Sequence, residues 1–372
     1  MGDWGGLRSR LEERRFRLSL FYNHYYARKG TGGLDLRRSS RSSGSVDLFG
    51  QFDLSRISVI PGGEVLVHVK SLWSESINPW VGALGDPIDD GDGNHPLSLY
   101  QLYYQRSTQG RTFQIRAGYF DQQTVLDRNA FANSEDRQFM NAYLDNNNAI
   151  IPLAVGAGAA LFINPTDWLS FVVTTSDAEA RPFRFSLDTA FDGDADYFAY
   201  FQTDLRLRFP SANGALDGSY RFGVFLDPRD RTVFGTDRID TANPGFYLSV
   251  DQMVYRERGG GGLGLFSRYG WRPGEVNRVE HFVSAGAQYE GPLPRRPQDV
   301  LGFGHYSVLG SNQYRQWIDP DFDRETGYEL YYSAQLFPAV TLSPAVQYIR
   351  QPGGLRSHGD AFVFALRTRF VF

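Results

Sequence analysis

The sequence predicts an all-β fold: a transmembrane antiparallel β-barrel of about 16 strands, with a short N-terminal helix and a long loop folded into the lumen. Three observations predict it. Segment after segment alternates apolar or aromatic residues with polar ones at a period of two, the signature of a strand with two different faces. The connections alternate between short turns and long loops. The chain holds 29 Phe, 21 Tyr and 6 Trp, 15% of its residues, yet its mean hydropathy is −0.38. A polar average with so many rings suits strands that show aromatics on one side and polar groups on the other.

The last segment shows the reasoning. Phe362, Phe364, Leu366, Thr368, Phe370 and Phe372 share one face, while Val363, Ala365, Arg367, Arg369 and Val371 share the other. A strand with a continuous apolar face opposite two arginines fits a wall between lipid and water. The same split recurs in 64–73, 111–120, 196–209, 219–227 and 327–337. The strands are expected over 16–27, 43–54, 62–73, 97–107, 111–120, 157–164, 168–176 and 196–210. They continue over 215–227, 244–257, 261–271, 278–291, 299–307, 325–337, 341–351 and 359–372. Most exceed the roughly 9–11 residues that a tilted transmembrane strand needs.

Short turns are read at 108–110, 164–167, 210–214, 258–260 and 338–340. Long connections are read at 28–42, 74–96, 121–156, 177–195, 228–243 and 308–321, with shorter ones at 272–277 and 352–358. Turns on one side, loops on the other and an even strand count describe a closed outer-membrane barrel, which leaves no sheet edge in lipid. Residues 16–372 form this single domain and residues 1–15 a periplasmic segment, in which Asp3–Arg15 reads as a short amphipathic helix or, alternatively, as a solvated leader. Met1 is read as standing where a secretory leader has been removed.

Composition narrows the function. A net charge of −4 and a pI near 5.9 give no basic bias toward nucleic acid. Without cysteine, disulfides and thiolate metal sites are excluded. The six histidines have no metalloprotease spacing, and no Gly-x-Ser-x-Gly elbow occurs, so no enzyme is expected. The chain is too short for a TonB-type transporter, and a polysaccharide secretion barrel would need partner domains.

Several stretches resemble the carbohydrate-selective, OprB-like porins. They are Gly2–Leu11, Leu99–Gln105, Gln114–Asp121, Val250–Tyr255, Gly262–Trp271, Gly291–Asp299 with Leu301–Gly304, Glu329–Tyr332 and Pro344–Gly354. They occur in the family's order from end to end. The resemblance implies a Gram-negative outer-membrane channel for passive diffusion of mono- or oligosaccharides. It departs at Gln101 and Gln105, where relatives often carry glutamate, which would weaken cation attraction.

A sugar path needs ring faces for C–H surfaces and a ladder of donors and acceptors for hydroxyls. The inner faces offer Arg116, Arg206, Arg208, Arg221, Arg268, Arg367 and Arg369 as planar donors, with Lys70. Glu64, Asp204, Asp251 and Glu329 accept, and Gln101 and Gln105 do both. Phe21, Tyr25, Tyr103, Phe120 and Tyr331 supply rings. Each arginine alone reads as a wall brace; the set reads as a conduit, and it also permits a general or anion-leaning porin. Loop 121–156 is expected to enter and narrow the lumen, with Asp127, Arg128, Asp136 and Arg137 near the constriction and a helix capped by Asn133 or Ser134. Deleting 129–145 should then raise conductance.

Asp90, Asp92 and Asn94 have the spacing of calcium ligands, but His95 and Gln101 break the motif, and a solvated acidic turn is the simpler reading. Otherwise no cofactor is expected. The expected partners are small neutral sugars, outer-membrane lipid and, through the terminal Phe372, the barrel-assembly machinery. Lipid-facing surfaces allow a homotrimer.

Overall fold

The computed structural model describes residues 4–35, 37, 39–54, 63–91, 93–181, 183–192 and 196–372. Its strands are β1 (Phe16–Lys29), β2 (Ser39–Asp53), β3 (Gly63–Trp73), β4 (His95–Ser107), β5 (Phe113–Asp121), β6 (Val155–Ile163), β7 (Leu169–Asp177), β8 (Tyr197–Phe209) and β9 (Leu216–Asp227). They continue with β10 (Arg231–Thr232), β11 (Ile239–Asp240), β12 (Asn243–Arg256), β13 (Gly262–Trp271), β14 (Val279–Glu290), β15 (Val300–Gly310), β16 (Arg324–Phe337), β17 (Val340–Arg350) and β18 (Ala361–Val371). Sixteen of these pair antiparallel, each with its neighbour in the chain, into a closed barrel. β10 and β11 form a separate two-stranded hairpin in the loop after β9. Each expected strand is present within a few residues of its expected span.

Closure follows from the alternation. β1 pairs with β18 so that Asn23 faces Arg369 and Tyr25 faces Arg367, inner residue against inner residue. The Phe372 N–H donates to the Leu20 carbonyl at 2.9 Å, so the last residue still belongs to the ladder. In β18, Ala361, Val363, Ala365, Arg367 and Arg369 are buried, while Phe362 and Phe364 are exposed on the outside. The outward face elsewhere carries Phe113, Ile115, Phe201, Leu205, Phe222, Val224 and Leu330, all exposed as a lipid-facing band must be. Outward rings pair across strands, as Tyr22 does with Trp73 (5.4 Å between centroids) and Tyr348 with Phe362 (4.7 Å). Tyr119 of β5 also faces out, but the β7–β8 loop covers it. Its hydroxyl donates to the Arg184 carbonyl at 3.2 Å and its ring meets Phe185.

The long connections lie at one end and the turns at the other; the loop end is taken as extracellular. Helix α1 (Leu7–Glu13) precedes β1 at the turn end, and Arg15 ties its exit to Asp53 at 2.5 Å. α2 (Asn78–Val81) lies in the β3–β4 loop and α3 (Ala142–Asp145) in the β5–β6 loop. α4 (Asn312–Trp317) lies in the β15–β16 loop and is capped by Ser311, which accepts from the Tyr314 N–H at 3.1 Å. Helix α1 falls within the segment expected to be helical, whereas period-two reading could not find α2 and α4.

Candidate functional site

The site begins with glycines. On the inner face, a side chain at Gly264 would stand 2.1 Å from the Phe131 ring, and one at Gly304 would stand 2.8 Å from Phe139 and 2.9 Å from Leu144. Gly270 leaves the same kind of room for Ile150. All four apolar residues belong to the β5–β6 connection. The bare backbone of β13 and β15 therefore lets that connection enter the barrel and pack against the wall.

Polar anchors complete the docking. Arg268 donates to Asp127 at 2.7 Å, with both side chains at 0% exposure, and also to the carbonyls of Leu144 (3.2 Å), Asp145 (3.1 Å) and Ala132. Glu329 accepts from the backbone N–H of Met140 (2.9 Å) and Asn141 (3.0 Å). Gln202 accepts from the Asp127 N–H at 2.9 Å. Arg367 donates to the carbonyls of Glu135 (2.6 Å) and Gln138 (3.0 Å), and Arg369 pairs with Asp136 at 2.7 Å. Buried backbone groups need such partners, and the inner wall supplies them. The helix in this loop is α3, capped by the Asn141 side chain, which accepts from the Tyr143 N–H at 3.0 Å. Asn133 and Ser134, expected to cap it, instead lie at a turn in which the Ser134 carbonyl accepts from Arg137 and Gln138.

The β3–β4 loop enters alongside. Glu325 accepts from the N–H groups of Leu84 (2.6 Å) and Gly353 (2.7 Å), and Gln347 donates to the Pro87 carbonyl at 2.8 Å. The two in-folded loops bond to each other, Asp89 N–H to the Met140 carbonyl at 3.0 Å and Ala142 N–H to the Asp86 carbonyl at 3.0 Å.

Among the described residues, two large cavities border the in-folded loop. The extracellular one, of about 770 Å³, is lined by Phe21, Phe49, Lys70, Tyr100, Asp121 and Phe183 among others. The periplasmic one, of about 680 Å³, is lined by Arg128, Gln202, Asp204, Arg206, Arg221 and Asp251 among others. Their linings share Asn133 and Arg137, both from the in-folded loop. The two linings meet at that shared pair.

The remaining expected residues fall into three groups. Arg221 bridges Asp251 (2.6 Å) and Asp204 (3.8 Å), with Arg206 on the other side of Asp204 at 3.5 Å. Gln105 donates to Glu64 at 2.9 Å and accepts from Arg116 at 2.9 Å, while Arg116 also reaches Thr124 and stacks over Tyr103. The amide both gives and takes here, which an ionised carboxylate at this position could not do. Arg208 pairs with Asp217 at 2.9 Å; it is 81% exposed and lines neither cavity. Among the expected rings, Phe21 lines the extracellular cavity, whereas Tyr103, Phe120 and Tyr331 are buried in wall-to-loop packing. Tyr25 is buried too, its hydroxyl on Asp90 at 2.9 Å.

Asp90 is a buried anchor. It pairs with Lys70 at 2.7 Å and accepts from Ser45 and Tyr25. Burial pushes its carboxyl up against the pull of Lys70. Asn94 is exposed, and Asp92 lies outside the described residues. Among the described residues, no group of three or more His, Asp or Glu is placed to hold a metal. In the in-folded loop, burial pushes Glu135 and Asp145 well above the usual carboxylate range, and like charge adds to it, from Asp145 on Glu135 and from Asp89 on Asp145. Burial raises Asp136 as well, but Arg369 and Arg137 outweigh it and hold that carboxyl below its usual value.

The sequence reading missed an aromatic strip on the extracellular cavity. Phe21 meets Phe49 edge-on at 5.9 Å, Phe49 stacks on His68 at 3.9 Å, His68 meets Tyr100 at 5.2 Å, and Tyr100 meets Phe183 at 5.3 Å. Phe21 is already among the expected inner-face rings, and Phe49 and His68 sit at inner-face positions that alternation could have identified as well. Tyr100 could not be found that way, because a bulge opposite His68 shifts the β3–β4 register there.

Comparison with known proteins agrees with this geometry. The sequence is 24% identical to Porin B of Pseudomonas aeruginosa over 420 residues, covering 100% of this chain and 91% of that protein. It is likewise 24% identical to the putative porin QuiX of Acinetobacter baylyi over 421 residues, covering 100% and 92%. The fold is similar to the high-pH structure of Pseudomonas putida OprB, with a TM-score of 0.86 at 19% identity over 100% of this chain and 97% of that one. The low-pH structure of the same protein gives a TM-score of 0.62 at 20% identity. The profile of the carbohydrate-selective porins, OprB family, matches residues 62–372, and the chain belongs to that family.

Proposed function

We propose that this outer-membrane carbohydrate porin passes neutral sugars from the extracellular cavity, through the constriction at Asn133 and Arg137, into the periplasmic cavity. The observation that carries the reading is the pair of cavities that share only those two residues of the in-folded loop on their linings. Most inner arginines are committed to carboxylates or carbonyls and act as braces. Arg137 stays 68% exposed beside Asp136, so it is available to a passing solute. Its fork of donors suits vicinal hydroxyls, and weak contacts allow release. Asp90 serves the lysine clamp in this reading, not calcium. The apolar outer face meets lipid, and the outward Phe372 is the element offered to the assembly machinery.

A second reading has one observation behind it. The periplasmic cavity carries Arg128, Arg137, Arg206 and Arg221 against Asp204 and Asp251, a balance that favours small anions. Single-channel current in planar bilayers separates the two. Saturable block by glucose, xylose or maltodextrins, weakened in Arg137→Ser, supports the sugar path. Current that no sugar alters, with a reversal potential set by anions, refutes it.

A further inference from the structure

We infer that the outer surface of the barrel carries, at the extracellular ends of β16 and β17, a binding site for a phosphorylated glycolipid of the outer leaflet, whose phosphate is gripped by Arg324 and Arg350. The site lies on the lipid side of the wall and does not depend on the sugar path.

Alternation places both arginines outside. In β16 the buried inner residues are Glu325, Glu329 and Tyr331, so Arg324, Thr326, Tyr328 and Leu330 share the outer face. In β17 Gln347 and Ile349 are inner, so Val346, Tyr348 and Arg350 point out. Arg324 is the first residue of β16 and Arg350 the last of β17, and both are exposed at the loop end. The register brings them together: Thr326 faces Arg350 directly, and Arg324 lies two residues along on the same face. Such diagonal neighbours stand about 7–8 Å apart, close enough for two long side chains to meet one phosphate.

Aromatic rings set the depth. Tyr328 and Tyr348 stack across the two strands at 6.3 Å between centroids, and Tyr348 meets Phe362 of β18 at 4.7 Å. Toward the middle of the wall the outer face is apolar and exposed, with Leu330, Val346 and Phe364. A row of rings at the edge of an apolar band marks the membrane interface of a barrel. Arg350 lies two residues beyond Tyr348 and Arg324 four beyond Tyr328. On tilted strands that lifts them roughly 5–10 Å past the rings, to the level of lipid headgroups.

The protein leaves this charge unanswered. Among the described residues neither arginine pairs with a carboxylate, because those around them are committed elsewhere. Asp323 takes Arg315 at 2.7 Å and Arg356 at 3.4 Å. Asp360 accepts from the Tyr348 hydroxyl at 2.6 Å and the Gln351 N–H at 3.2 Å, and Glu325 points into the lumen, where it accepts from the Leu84 N–H. Two neighbouring guanidinium groups repel each other until an anion bridges them, and their planar forks match phosphate oxygens. Polar groups continue beneath them on the outer face. The hydroxyls of Thr326 and Ser307 are 3.2 Å apart, and Ser307 meets His305 at 3.3 Å. Hydroxyls and an imidazole are costly against acyl chains and suit the sugar of a glycolipid headgroup, which a simple phospholipid lacks.

The test is native mass spectrometry of the whole folded protein in detergent. The probe is lipid A carrying two phosphates, compared with its dephosphorylated form and with phosphatidylglycerol. The wild type should retain lipid A and release it when the phosphates are removed. Arg324→Gln and Arg350→Gln should each weaken retention about fivefold, and the double variant roughly twenty-five-fold. Arg350→Lys keeps the charge without the fork and should fall between. Arg208→Gln, which removes an exposed arginine at the other end of the barrel, should change nothing. Retention is compared only on protein that keeps the heat-sensitive gel migration of a folded barrel, so a folding defect is not counted as lost binding. Lipid A that binds the double variant as well as the wild type overturns the inference. So does phosphatidylglycerol retained equally well with the same arginine dependence, which reduces the pair to a general attraction for anionic membrane.

Discussion

Replacing Arg268 with methionine tests whether the in-folded loop sets the constriction. The guanidinium is fully buried between the wall and the loop, pairs with Asp127 at 2.7 Å, and reaches three carbonyls of the same loop. Methionine fills similar space and donates nothing. The Asp127 carboxylate then loses its charge partner at 0% exposure. Breaking one side of such a buried pair costs about 3–5 kcal/mol. At about 1.4 kcal/mol per factor of ten, the undocked loop gains roughly two to three and a half powers of ten in population. Arg208→Met is the matching control, because its pair with Asp217 is largely exposed and such pairs contribute at most about 1 kcal/mol. The assay is single-channel recording with limited proteolysis of the folded barrel. Arg268→Met should give a noisier current with larger open substates and a cleavable loop, Arg208→Met neither, and adding Asp127→Asn should restore part of the quiet state. A quiet, protease-resistant Arg268→Met channel with wild-type conductance would refute the reasoning.

Gly264→Val places a side chain where the Phe131 ring now lies, 2.1 Å from an ideal Cβ, and should raise conductance by displacing the loop; an unchanged current–voltage curve counts against it. Gln105→Glu sets a carboxylate against Glu64 and should shift the reversal potential in a salt gradient toward cations, with sugar-free conductance nearly unchanged. The in-folded loop should also respond to pH. Glu135 and Asp145 bind protons more tightly when docked than when solvated, so docking is strongest in acid and weakens as pH climbs above the ordinary carboxylate range near about 4. Current noise should grow between acid and alkaline pH, and Glu135→Gln with Asp145→Asn should flatten that dependence.

Much of this protein is legible in its sequence, because a barrel wall is a local pattern. Side chains alternate along each strand, so inner and outer faces can be read from residues two apart without knowing what they touch. The wall positions of Arg116, Arg221, Arg268, Arg367, Arg369 and Glu329 follow from that alone, as does the lipid-facing role of Phe362 and Phe364. Loop length likewise pointed to the β5–β6 connection as one that enters the lumen, though not to the β3–β4 loop that enters beside it.

The partner of each inner residue is a tertiary matter. Arg268 meets Asp127 across 141 positions and Glu329 meets Met140 across 189, separations over which no sequence period extends. The same distance hides why Gly264 must be glycine, since Phe131 fills its space from another part of the chain. It also hides which rings stay open: Tyr331 and Phe21 both face inward, but only the folded loop decides that one is packed away and the other left on a cavity wall. Alternation set by backbone geometry fixed the two faces of the wall. The constriction came from long-range packing of a loop onto glycine-bared strands, held by buried charges that only the folded chain brings together.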